Sequence, residues 1–172
     1  MQRTLFRSFS VLTELAKRGI RLPSVSKPIG NYTSVLRSGN YLYLSGALPL
    51  KEDGSFYKGK VQQRVVNHLK IGVGMDEETG YDAARKAAMV LTANILSEVP
   101  DLSKIRIITG FVNCSPSFEK IPAIVNGASD FFVEVFGENG KHISPIHNRS
   151  CPSFLSALCL PVEIEAVAEI LP

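Results

Sequence analysis

Two runs of helical periodicity, separated by one strand-like stretch, do most to restrict what this chain can become. In the first, Tyr81, Ala84, Ala88, Leu91 and Ile95 recur at three- and four-residue spacing, which gathers them on one face of a long helix. Asp76 stands where a helix cap is needed, with Glu77 and Glu78 in the first turn, where the helix dipole favours acids, and Pro100 marks the end. In the second, Ile124, Val125, Ala128, Phe132 and Val135 repeat the pattern over residues 121–136, and Gly137 stops it. The stretch between them, "KIRIITGFVN", reads as a core strand. Each helix carries one apolar face and must bury it against something.

The remaining segments supply the partner. "NYLYLSGALPL" (residues 40–50) is short, aromatic and closed by Pro49, a strand pattern, and Asp53-Gly54 behind it is a hairpin-turn signal. Two further strands are predicted near the end of the chain, over residues 149–155 and 162–170. The order β-hairpin, helix, β, helix, β-β predicts an α+β sandwich, one sheet with both helices on one face. Ahead of it, "VLTELAKRGIRLP" spaces Leu12, Leu15 and Ala16 at helical intervals, with Gly19 as C-cap and Pro23 beyond the helix end. This reads as a short helix over residues 11–23, outside the main fold, followed by a single domain over residues 24–172. At 172 residues the chain suits one domain with a substantial core.

Charge and cysteine content narrow the function classes. A net charge of +3, much of it within the first 21 residues, argues against a nucleic-acid surface as the main design feature. Three cysteines, Cys114, Cys151 and Cys159, without a C-x-x-C pair, suit reduced thiols rather than a disulfide framework. No apolar stretch approaches the roughly 18 residues of a membrane span, and no membrane partner is expected. Residues 1–10, "MQRTLFRSFS", carry Arg3 and Arg7 and no acid. An organellar import segment and a plain disordered lead have that composition equally, so mitochondrial and cytoplasmic locations both stay open. "GVGM" at residues 72–75 lacks the third glycine and the preceding strand of a dinucleotide fingerprint, and reads as a glycine loop. His68, His142 and His147 are scattered without a ligand-spaced partner, so no metal is predicted.

The chemistry-bearing stretch is "HNRSCPSFLSALCLPVEIEAVAEI", residues 147–170. Period-two alternation puts Glu163 and Glu165 on one face of the last strand and Val162, Ile164 and Ala166 on the core face. A hairpin between the two terminal strands would bring Arg149 and Cys151 close to one end of that acidic face. An arginine there can grip a carboxylate ligand with two parallel hydrogen bonds. It can equally form an ordinary surface salt bridge, and the residues alone leave the two readings even.

Three blocks add to this reading. "IGNYTSVLRSGNYLYLSGALPL", "GFVNCSPSFEKIPAIVNGASDFFVEVFGE" and the R-S followed by P-V-E-I-E-A of the terminal stretch resemble the Rid (reactive intermediate deaminase) family. The family is also called YjgF or endoribonuclease L-PSP, and the likeness is to its longer-chain branch, from about Ile29 onward. The resemblance implies a chorismate-mutase-like fold and a homotrimer with clefts between subunits. It implies that Arg149 binds the substrate carboxylate and that Glu163 positions or activates the attacking water. Tyr32, Ser45, Gly46, Asn126 and Cys151 fall on its substrate-binding positions, Gly46 as backbone close to the ligand.

The implied reaction is hydrolysis of a reactive enamine or imine, of the 2-aminoacrylate type, to a 2-keto acid and ammonia, without a cofactor. The implied partners are a small imino or keto acid and two further copies of the chain. A trimer that binds small carboxylate metabolites without turnover is the second reading. A ribonuclease is the third, although no aromatic-basic stripe supports RNA binding. Departures from the family pattern are Cys151-Pro152-Ser153-Phe154 after Ser150, His147-Asn148 before Arg149, and "QQRVVNHLKIGVG", which reads as extra material around residues 62–74. Pro152 removes a backbone donor from its strand.

Overall fold

The structure is a computed structural model that describes residues 11–25, 28–61, 74–99, 104–148 and 159–170. In chain order its elements are α1 (Val11–Lys17), β1 (Val35–Ser38), β2 (Tyr41–Ala47), β3 (Lys60–Val61), β4 (Gly74–Met75), α2 (Glu77–Glu98), β5 (Lys104–Val112), α3 (Ile121–Phe136), a 3-10 turn (Gly137–Gly140), β6 (Ile146–Asn148) and β7 (Val162–Glu169). The main sheet has the order β1-β2-β7-β5-β6. Every pairing in it is antiparallel except β5 with β6, which run parallel. The architecture is α+β, with α2 and α3 together on one face.

Both long helices form where the periodicity placed them. Asp76 caps α2, its side chain accepting from Thr79 N at 2.9 Å. Ala84, Ala88, Leu91 and Ile95 are fully buried. α3 spans the predicted residues and ends at Gly137, whose φ of +58° a side chain would rarely adopt. The alternation along β7 is strict: Val162, Ile164, Ala166 and Ala168 are buried under the helices, and Glu163, Glu165, Val167 and Glu169 are half-exposed on the open face.

The two helices approach unusually closely. A methyl group built on Gly127 of α3 would lie 2.0 Å from the Tyr81 carbonyl oxygen of α2. Four buried alanines, Ala83, Ala84, Ala87 and Ala88, allow α2 to settle at this short separation. The Tyr81 hydroxyl donates to Asp130 of α3 at 2.9 Å, and Arg85 is paired with Glu134 at 2.6 Å.

Several expectations need correction. The short N-terminal helix does not lie outside the fold: Val11 and Leu15 belong to the core cluster and α1 packs on α3. Its buried face is set by Val11 and Leu15, whereas Leu12 is 56% exposed and Ala16 also faces outward. Gly19 does end it at φ +65°, with Gly19 N donating to Ala16 O and Ile20 N to Leu15 O. β6 and β7 are not neighbours, because β5 lies between them; the predicted terminal hairpin involves residues 149–155, outside the described residues. Gly74 is not loop, since it pairs with Lys60 in the small β3–β4 sheet. The Asp53-Gly54 turn forms as read, with Lys51 N donating to Ser55 O at 2.8 Å. The predicted strand over residues 149–155, the lead at residues 1–10 and most of the extra segment over residues 62–74 fall outside the described residues.

Candidate functional site

The open face of the sheet holds a cleft where β2 meets β7. These strands are in register at Leu44↔Ala166 and again at Ala47↔Ile164, so β2 carries one residue more than β7 across that interval. The extra residue is a β-bulge, a device that re-aims side chains and takes backbone out of the ladder. Ser45 and Gly46 form it. Ser45 N donates to Ser34 O at 3.0 Å, and its hydroxyl donates to Thr33 O at 2.7 Å. The bulge thereby holds the segment that carries Tyr32, whose own N–H donates to Gly30 O at 3.0 Å.

Tyr32, Ser45, Gly46 and Glu163 line one cleft together, joined by Ile29, Gly30 and Glu165. Four of the seven predicted site residues are thus neighbours in a single chain. Glu163 comes from β7, opposite Phe111 of β5, and Glu165 opposite Thr109. The closest approach concerns Gly46: a methyl group built there would lie 1.8 Å from Glu163 Oε1 and 2.6 Å from its Cδ. The carboxylate therefore occupies the space that any other residue at position 46 would fill. The glycine was read as admitting a ligand to the backbone; the group it admits is the Glu163 carboxylate.

Asn126 is not part of this cleft. It lies exposed on α3, in the helical layer, while Glu163 and Glu165 are on the opposite face of the sheet. Arg149 and Cys151 fall outside the described residues. The last residue described before them, Asn148, pairs with Val112, which pairs in turn with Val162. Sequence reasoning missed Ile29 and Gly30 as lining residues, although they belong to the same "IGNY" block as Tyr32, and placed Glu165 beside Glu163 without giving it a site role.

The described histidines and thiols lie elsewhere. His142 bridges the Gly140 carbonyl at 2.5 Å and the Ser129 hydroxyl at 3.1 Å, and burial lowers its pKa. His147 is stacked on Phe111, ring centroids 5.2 Å apart. Cys114 is buried beside Lys60, its thiol pushed up by burial and donating to Asn148 Oδ1 at 3.4 Å, so it is held as a protonated thiol rather than a nucleophile. Among the described residues no three His, Cys, Asp or Glu side chains cluster as a metal site.

What the fold and cleft define is a small α+β protein whose open sheet face presents an acidic, glycine-floored site built around a strand bulge. Residues 13–167 match the family described as "YjgF/chorismate mutase-like, putative endoribonuclease", and the chain belongs to that family, the Rid/YjgF proteins. It is 33% identical over 136 residues to Protein TCP17 of Trypanosoma cruzi, covering 77% of this chain and 79% of that protein. Among solved structures it superposes on a Shewanella oneidensis protein described as an endoribonuclease of this kind with a TM-score of 0.78 at 25% identity, covering 94% of this chain and 99% of the other. An Agrobacterium tumefaciens protein of unknown function gives 0.75 at 27% identity, covering 94% and 92%.

Proposed function

We propose that the protein hydrolyses reactive 2-imino acids and their enamine tautomers to 2-keto acids and ammonia, with Glu163 as the proton carrier. The observation that supports this most directly is the Glu163 carboxylate lying over Gly46 in a cleft edged by Tyr32 and Ser45. Once its nitrogen is protonated, the imine carbon is electrophilic. Water adds to that carbon as Glu163 takes one of its protons, and a carbinolamine forms. Glu163 then returns the proton to nitrogen, the C–N bond breaks, and the hydroxyl becomes the keto oxygen as its proton passes to the departing ammonia, which leaves as ammonium. Nothing is oxidised or reduced, and the carboxylate is regenerated. A positioned base of this kind contributes about 10²–10⁴ in rate.

The described lining of the cleft supplies carboxylates and no cation, so a carboxylate substrate needs its positive partner from elsewhere. Arg149 is our candidate, on the family resemblance of the R-S motif. The same acidity disfavours a polyanion, which supports the imine reading over a ribonuclease. The test is ammonia and keto-acid release from freshly generated 2-aminoacrylate. Arg149→Ala and Arg149→Lys should both lose one to two decades in keto-acid affinity, because lysine keeps the charge and lacks the fork. Full affinity in Arg149→Lys would remove the arginine from the site, and keto-acid binding without turnover in the wild type would make the protein a binder only.

We also propose a homotrimer, assembled through the open face of the sheet. An unpartnered apolar row supports it: Leu36, Tyr43, Val167 and Ile107 stand in cross-strand register over four strands of the open face. Leu36 is 60% exposed and Tyr43 48%, an arrangement that soluble sheets normally cover. Sedimentation equilibrium should give the mass of three chains, and Tyr43→Glu should release monomers. A wild-type monomer at micromolar concentration would refute the assembly.

A further inference from the structure

Behind the bulge lies a second, smaller cavity. It shares Ile29, Tyr32, Ser45 and Gly46 with the cleft and continues to the helical side of the sheet, where Val90 and Asn94 of α2 close it. Its other described walls are mainly apolar, chiefly Leu50 and Phe56, with Ser34 among them. The volume is about 50 Å³. A water needs roughly 10–15 Å³ of such space, so this chamber has room for about three to five water-sized groups, enough for a short side chain.

Asn94 is the anomaly in it. The residue is 5% exposed, and its Oδ1 is buried without a hydrogen-bond partner. Its backbone carbonyl accepts from the Ser97 hydroxyl at 2.8 Å. A buried amide oxygen without a partner costs about 1–3 kcal/mol relative to one that is satisfied, and the buried positions around it on α2 are apolar apart from Thr92, whose hydroxyl donates to Ala88 O at 2.9 Å. A leucine would fit the same helix face. The polar group is therefore best explained by something that enters the chamber and bonds to it. Rotation about the last torsion of the side chain turns either the carbonyl or the amino group toward the cavity, and a hydroxyl, being both donor and acceptor, satisfies it in either orientation.

We infer that this chamber is the side-chain subsite of the proposed imino-acid cleft, that Asn94 is its specificity-determining residue, and that it takes a short side chain ending in a hydroxyl. The inference rests on the imino-acid reading above. Sites built to hydrogen-bond a hydroxyl discriminate against the analogue that lacks it, because the buried partner is then left unpaired.

The experiment is calorimetry of two keto acids with the same number of heavy atoms, 3-hydroxy-2-oxopropanoate and 2-oxobutanoate, on the wild type and on Asn94→Leu. The wild type should bind the hydroxy acid about fivefold more tightly, the equivalent of one neutral hydrogen bond. Asn94→Leu should lose or reverse that preference while its melting temperature holds or rises. Equal wild-type affinities, the result also expected if a resident water satisfies Asn94, would overturn the subsite and leave the imino-acid reading standing. A preference that persists in Asn94→Leu would overturn it too. Failure of both acids to bind would remove the imino-acid reading and the subsite with it. Should Asn94→Leu not fold, the wild-type comparison decides alone.

Discussion

Glu163→Gln is expected to lower turnover of 2-aminoacrylate by at least about 10²-fold while the affinity for the 2-keto acid product is kept or improved. Glutamine has the same shape, so it still lies over Gly46 and leaves the bulge and the β2–β7 ladder as they are. What it lacks is the ability to take a proton from water and give it back to nitrogen, and removing a positioned base costs about two to four decades. Because the defect belongs to the transition state, it should appear in kcat rather than in ligand binding. Loss of one carboxylate also weakens the repulsion of an anionic ligand, hence equal or better affinity. The measurement is steady-state ammonia release alongside calorimetric titration with the keto acid. Unchanged turnover would return Glu163 to the role of a solvated strand residue.

The second large effect concerns packing. Gly127→Ala should destabilise the protein by about 3 kcal/mol, at the upper end of the usual cost of overpacking, and lower Tm by roughly 6–12 °C for a chain of this size. A single methyl suffices because its obstacle is backbone: the Tyr81 carbonyl would stand 2.0 Å away and the Tyr81 carbonyl carbon 2.8 Å away. Neither can turn aside as a side chain could, so α2 and α3 would have to separate along their contact. The Tyr81–Asp130 and Arg85–Glu134 pairs would be strained with them. Thermal unfolding followed by circular dichroism tests this, and a Tm within 2 °C of the wild type, well inside the expected shift, would show that the helices can slide apart at little cost.

The helices were the legible part of the fold because their information is local. Five apolar positions at helical spacing define the face of α3, and Asp76 with two following acids marks the start of α2. The seven residues of α1 are too few for this, which is why Leu12 was assigned inward and Val11 overlooked. Strand partnership is not local at all. β6 returns from α3 to lie parallel to β5, a connection with no periodic signature.

The site divides the same way. Glu163 and Glu165 were readable from alternation, and Tyr32, Ser45 and Gly46 from family resemblance. That Gly46 makes room for the Glu163 carboxylate was not readable, because it depends on an extra residue in a register between strands far apart in the chain. Asn94 was invisible for a plainer reason: a polar residue one position before an apolar one in a long helix looks like any solvent-facing residue. Gly127, by contrast, sits in the "VNGASD" block that carried much of the resemblance, and its reason for being glycine is the helix contact rather than the cleft.

The place of β7 in the sheet has a consequence for how the molecule comes into being. β2 and β5 are not paired with each other; in the sheet each pairs with β7, which follows both of them in the chain. Until it arrives, the hairpin of β1 and β2 and the unit of β5, α3 and β6 have only helix contacts to relate them, with strand edges open on both. Chains dominated by such distant pairings fold slowly and expose sticky edges while they wait. The acidic residues that later face the ligand, Glu163 and Glu165, lie on that final strand, so the cleft and the closed sheet are completed in one event.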